Sequence, residues 1–142
     1  MPLIPLCRVV ISAFKEPLHF LLIEQNNKIQ ARYGEPEVEE DLRGVCVQKY
    51  YPEVFSDYLA CRAKDINSTW WEDCLGNLDT TKIKSCARGE EGRALLKENI
   101  LLNKELQVVF GPTYFVDNQK TFSTQGVPAE KDFEAIFKKA RK

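Results

Sequence analysis

The sequence carries one histidine, His19, and although it has five cysteines, no two of them stand three positions apart. His19 lies in an apolar stretch and reads as a packed sheet residue rather than a general base. With no second histidine, hydrolytic triads and His-rich metal sites have no support. Dithiol redox catalysis needs a thiol activated at a helix N-terminus and a second cysteine three positions on to resolve the mixed disulfide. That spacing is absent, and so is the close Cys-x(2–4)-Cys pair that structural zinc sites usually contain. Long apolar runs are missing too: the longest, residues 20–23, falls far short of the roughly 18 residues a spanning helix requires. Twenty basic residues against 21 acidic ones leave a net charge of -1, which gives no drive toward nucleic acid or anionic membranes. The opening Met1-Pro2-Leu3-Ile4-Pro5-Leu6 has no basic n-region, no long h-region and no small-residue cleavage site, so it makes a poor signal peptide. Two expectations follow: a protein that stays inside, or a chain whose true start lies upstream.

What is present fits one domain. The 142 residues are 44% hydrophobic and 29% charged, in the range of a chain able to bury its own core. No internal repeat, low-complexity tract or linker divides it. Residues 18–23 are short, apolar and follow Pro17, as expected of a buried parallel strand. Residues 7–14 are ambiguous: Val9, Val10 and Ile11 favour a strand, while Pro2 and Pro5 suit the first turn of a helix.

From Gly34-Glu35-Pro36 the pattern turns helical. Glu37, Glu39, Glu40 and Asp41 crowd the positive end and read as a solvated helix start, with Val38, Leu42 and Val45 on one face. Tyr51-Pro52 opens a second helix with Val54, Phe55, Tyr58 and Leu59 on one side. Thr69-Trp70-Trp71-Glu72 reads as a capping box opening a third, stopped by Gly76. Asp79 or Thr80 caps a fourth helix that ends at Gly89, and residues 90–106 form a fifth. Then β-rich segments appear, Val108-Val109-Phe110 and Thr113-Tyr114-Phe115-Val116. A turn at 117–120 and a return strand at 121–123 follow, and a helix near 129–140 presents Phe133, Ile136 and Phe137. Asn67-Ser68-Thr69 is a glycosylation sequon that matters only in a eukaryotic secretory pathway. Of the adjacent Trp70 and Trp71, at least one belongs in the core.

Gly111-Pro112-Thr113-Tyr114-Phe115-Val116-Asp117-Asn118 resembles the thioredoxin-like signature, in which a cis-proline precedes a strand, a turn and an edge strand. Gly126 and the closing helix sit where that pattern expects them. The stretch from Tyr33-Gly34-Glu35-Pro36-Glu37-Val38 through Cys46, Tyr58, Cys61, Trp71, Cys74, Ile83, Cys86 and Gly92 resembles the helical insertion of DsbA-like proteins. A similar cysteine layout occurs in lysosomal thiol reductases and in luminal domains of plant vacuolar sorting receptors. The likeness covers residues 18–137. It implies an α/β, thioredoxin-like single domain over 1–142, with a large all-helical insertion at about 35–106 between an N-terminal strand and a C-terminal β-hairpin plus helix.

Active members of that family begin with a strand and a Cys-x-x-Cys or Cys-x-x-Ser/Gly at the start of the first helix, and no such motif stands here. By the resemblance, residues 2–14 correspond to the body of that helix and Cys7 to a position a few turns beyond the catalytic one. The absent strand leaves three expectations: residues 7–14 become a strand, a second copy completes the sheet as a homodimer through its edge, or the chain is a fragment.

Cys46, Cys61, Cys74 and Cys86 have 14, 12 and 11 residues between successive members. Two disulfides, worth about 3 kcal/mol each in the chain-entropy model, are expected ahead of reduced core cysteines or a four-cysteine zinc site. Three pairings are open; nesting Cys61 with Cys74 inside Cys46 with Cys86 suits an antiparallel helical layout. Cys7 is then a free thiol, expected to be buried against the sheet, with only Arg8 nearby to activate it.

The resemblance implies a relative of thiol-disulfide oxidoreductases that is redox-inactive without its dithiol, with no catalytic residue, metal or cofactor to assign. Pro112 and Thr113 line its substrate groove. The alternative is a non-catalytic module that holds an extended peptide or a thiol-containing protein beside Pro112. If the N-terminus is truncated, the expected location is extracytoplasmic, periplasmic or secretory.

Overall fold

The computed structural model describes residues 8–11, 18–109, 113–116, 119–121 and 129–140. In chain order the strands are β1 (Arg8–Ile11), β2 (Leu18–Phe20), β3 (Ile23–Gln25) and β4 (Lys28–Gln30). Four helices follow: α1 (Glu35–Tyr50), α2 (Phe55–Lys64), α3 (Thr80–Arg88) and α4 (Glu90–Glu105). Short 3-10 helices, Pro52–Val54 and Trp71–Leu75, precede α2 and α3. Strands β5 (Thr113–Val116) and β6 (Gln119–Thr121) and helix α5 (Glu130–Ala140) complete the order. The chain therefore mixes α and β, with a helical block between N-terminal strands and a C-terminal hairpin and helix.

Four strands form one sheet in the order β2-β1-β5-β6, and β3 pairs with β4 in a separate two-stranded ribbon. Of the ambiguous residues 7–14, the described part, Arg8–Ile11, is strand and runs parallel to β5, Val9 opposite Thr113. Val9, Val10 and Ile11 are β-branched, stiff about χ1, and favour extended backbone.

The segment 18–23 is not the single parallel strand expected. It stops at Phe20, pairs antiparallel with β1, and Ile23 already belongs to the β3–β4 hairpin. The break has a polar cause. The Phe20 N–H donates to Asn99 Oδ1 at 2.7 Å, and Asn103 Nδ2 donates to the Phe20 carbonyl at 2.8 Å. Two side chains one turn apart on α4 thus occupy the backbone groups of Phe20 that point away from β1. Asn26 and Asn27, at φ 53 and 61, turn the β3–β4 hairpin. Two consecutive positive φ values are what a two-residue type I′ loop requires, and Asn tolerates them better than most residues.

Helix α1 begins after Gly34, whose φ of 87 is costly for any residue with a Cβ. Val38 and Val45 are buried and Leu42 is half-buried, on the face the spacing predicts, and Cys46 and Val47 are buried beside them. The acidic start is solvated only in part: Glu39 is exposed, but Glu37, Glu40 and Asp41 are 3%, 4% and 1% exposed. For Glu37 and Glu40 partners come with the burial. Glu37 accepts the Tyr33 N–H at 2.8 Å, and Glu40 meets two arginines described below. At Gly44 the α1 backbone meets the Phe20 ring so closely that a Cβ would lie 2.6 Å from the ring's Cζ. That ring also meets Phe55 edge-on, centroids 6.5 Å apart, an arrangement that suits the quadrupoles of both rings.

Asp79 caps α3 by accepting the Thr81 N–H at 2.9 Å. The expected capping box at Thr69 does not form. Trp70 takes the N-cap position of the 3-10 helix without a side-chain bond, while the Glu72 carboxylate turns to Thr80 and Lys84 instead. Gly76 ends that turn as expected. Helix α4 ends on Gln107 in the left-handed region. The Val108 N–H bonds to the Asn103 carbonyl and the Gln107 N–H to that of Lys104, which is a Schellman closure with a non-glycine C′ residue. Val108 and Val109 follow this closure and lie outside any strand, contrary to the β-rich reading; Phe110 falls outside the described residues.

Candidate functional site

The four cysteines of the helical block pair as Cys46–Cys86 and Cys61–Cys74. The nested arrangement is the one present; with all four sulfurs oxidised, neither a four-cysteine zinc site nor a set of reduced core thiols exists. The first bond joins α1 to α3 in the core, its cysteines 0% and 2% exposed. The second ties α2 to the Trp71–Leu75 turn, and both of its cysteines are half-buried.

Position within the helices bears on chemistry. Cys46, Cys61 and Cys86 all fall in the C-terminal halves of α1, α2 and α3. There the helix dipole disfavours a thiolate, the reverse of the N-terminal placement that activates a redox cysteine.

Thr113 opens β5 and is buried. Tyr114 is paired on both sides, with Val10 of β1 and Thr121 of β6, and its ring meets Phe133 of α5 at 5.2 Å. Desolvation raises the pKa of the Tyr114 hydroxyl. Phe115 packs with Val108, Leu21 and Leu106 in a small cluster separate from the main core. Pro112 and Cys7 lie outside the described residues. His19 sits in β2 opposite Val9.

A polar centre that no sequence pattern announces lies beside the second disulfide. Arg62, 1% exposed, donates from Nε to Glu40 Oε1 at 3.0 Å. Its terminal nitrogens reach the Ser68 carbonyl and hydroxyl and the Ile66 carbonyl. Tyr58 donates to the same Glu40 oxygen at 2.9 Å, and Arg43 binds the other at 2.7 Å. Burial first, and then the adjacent carboxylate, push the pKa of the Tyr58 hydroxyl well up. A buried ion pair tolerates desolvation only when its remaining donors and acceptors are satisfied, and here the guanidinium also pins the 66–68 loop. The centre is structural: four of the five Arg62 N–H donors bond within it, one to Glu40 and three to the 66–68 loop.

Two clefts of about 340 and 350 Å³ flank Trp71 and share Glu39 and Arg43 in their walls. The Arg43 guanidinium stacks over the Trp71 ring at 5.7 Å, filling the cation–π position that a ligand cation would otherwise take. A third groove, of about 380 Å³, runs between the β3–β4 hairpin, α4 and Val108–Val109. Among the described residues no group of three or more His, Cys, Asp or Glu side chains could hold a metal ion, and no helix is long and apolar enough to cross a membrane. Comparison of the chain with protein-family models, curated proteins and solved structures finds no match.

Proposed function

We propose that this chain is a redox-inactive relative of the DsbA-like thiol-disulfide oxidoreductases, a disulfide-stapled domain whose cysteines serve the fold. The observation that supports it best is the placement of the cysteines. The helical-block cysteines are locked in two disulfides that span 40 and 13 residues, and none stands at a helix N-terminus where its thiolate would be favoured. Disulfides of this kind persist in oxidising compartments, so the domain works outside the reducing cytosol. An insulin-reduction assay tests the reading: turnover no faster than the dithiothreitol background is expected. Turnover at a thioredoxin-like rate overturns it, and loss of that turnover in Cys7→Ser makes Cys7 the nucleophile.

A second reading is a module that holds extended peptides beside Pro112 and Thr113, and the strand order limits where on β5 it can do so. Tyr114 and Phe115 are already paired to β1 and β6, so a peptide that adds to β5 has to do so ahead of those residues. Binding to a peptide array that disappears in Pro112→Ala supports this reading, and an array with no binding at any position removes it.

A further inference from the structure

We propose that the groove between the β3–β4 hairpin and α4 binds the free C-terminal residue of a peptide that ends in an apolar side chain. This goes beyond the redox reading and does not depend on Pro112.

The starting point is Asn103. It is 3% exposed, lies in the groove wall, and its amide orientation is fixed because Nδ2 donates to the Phe20 carbonyl. That leaves Oδ1 buried and without a hydrogen-bond partner, so a donor reaches it once the neighbouring side chains of the wall shift to admit a ligand. Buried acceptors are nearly always satisfied, so an orphan in a groove wall calls for a donor from a ligand. Its neighbour Asn99 shows what satisfaction looks like: Oδ1 accepts from Phe20 and Nδ2 donates to the Leu95 carbonyl.

The second observation is the apolar lining of the groove. Ile23 and Val109 are 58% and 82% exposed, while Leu22, Ile100 and Val108 are buried. Apolar side chains around a cavity of about 380 Å³ form a slot of the size that small ligands occupy.

Charge is the third. The ionisable residues of the lining are Arg32 and Lys104, both exposed cations, with no carboxylate among the described lining residues. A ligand matching all three features needs an apolar group, an N–H donor and a negative charge close together. The last residue of a peptide carries its side chain, amide N–H and carboxylate on three neighbouring atoms, and capture of a terminal carboxylate is a recurring mode of recognition. A fatty acid matches the slot and the charge but brings no donor for Asn103.

The test is calorimetric titration of the full, oxidised chain with acetyl-glycyl-leucyl-valine as the free acid, its C-terminal amide, and decanoate. Saturable binding of the acid is expected, weakened at least about tenfold for the amide and in the Arg32→Glu/Lys104→Glu and Val109→Asp variants. All three positions are exposed, so the fold tolerates the changes, and far-UV circular dichroism checks it. Absence of saturable binding, equal binding of acid and amide, or decanoate binding in preference to the tripeptide overturns the proposal. Binding unchanged in Pro112→Ala supports it. Loss of binding in that variant assigns the tripeptide to the groove beside Pro112, which sinks this inference and leaves the peptide-module reading intact.

Discussion

The helical block and the four-stranded sheet are held together by different means. Among the residues whose burial is described, Phe20 alone joins that sheet to the main buried cluster; the other members belong to the β3–β4 region, α1–α4 and the turn before α3. Both disulfides lie in the block. Among the described residues the sheet has its ladders, the small cluster around Phe115, the ring contact of Tyr114 with Phe133 of α5, and the asparagine clasp that joins β2 to α4. A stapled, close-packed block can keep its shape when contacts to the sheet are lost, whereas the sheet relies on a few polar bonds to finish its edge at β2. That edge bears on the homodimer expected from the sequence. Phe20 already has both outward backbone groups occupied, so at that residue β2 offers no bond to a second copy.

The sharpest way to break this comparison is to remove the staples one at a time. Cys46→Ala/Cys86→Ala opens a loop of 40 residues in the core and is expected to cost about 4 kcal/mol by chain entropy, before any cavity contribution. Cys61→Ala/Cys74→Ala opens one of 13 residues and should cost about 3 kcal/mol by the same model. Urea unfolding of both variants reads the difference. A peripheral pair that costs as much as the core pair would mean that its partners, Arg62 and the 66–68 loop, lean on it more than the burial of each bond implies.

Next in size is the clasp. Asn99→Leu keeps the side-chain volume but leaves the Phe20 N–H with no acceptor, a loss of about 2 kcal/mol for a buried donor. Hydrogen exchange is expected to quicken at Phe20 while α1 and α3 stay protected, and concentration-dependent self-association should appear as the edge opens. Unchanged exchange at Phe20 would show that something other than Asn99 closes β2.

Much of the block was legible because helices announce themselves locally. Pro36 and Pro52 mark starts, Gly76 and Gly89 mark stops, and Val38, Leu42 and Val45 keep the helical period. The β3–β4 hairpin was not, although Asn26-Asn27 is a type I′ signal; its strands of three residues are largely polar and give no alternating pattern to flank it. The burial of Glu40 escaped because its partner Arg62 is 22 residues away, on another helix, and a run of acids by itself reads as a solvated face. Asn99 and Asn103 left one clue, two poor helix formers a turn apart in a Leu-rich helix. Their partner, Phe20, is 79 and 83 residues distant. The groove they line is assembled from segments around residues 22, 31, 103 and 109, and no local pattern links those.

The smallest expected effect lies on the outer face of the block, where Lys49 and Tyr50 of α1 both bond to Glu91 of α4. The hydrogen bond from Lys49, then that from Tyr50, holds the Glu91 carboxyl below the usual carboxylate range. A folded pKa lower than the unfolded one means the contribution is complete above the unfolded carboxylate value of about 4.3 and is lost as pH falls through the lower, folded value. Between pH 5 and 8 this pair therefore contributes no pH dependence. Both side chains are well exposed, so solvent screens the attraction and side-chain entropy opposes it. Glu91→Gln should shift the urea midpoint only slightly at pH 7, and raising the salt to about 0.5 M should erase that shift, given a Debye length of a few ångströms there. A midpoint change comparable to that of Asn99→Leu, persisting in salt, would show that the outer faces of α1 and α4 are held as firmly as the clasp, and the contrast between a covalently stapled block and a polar-fastened sheet would have to be redrawn.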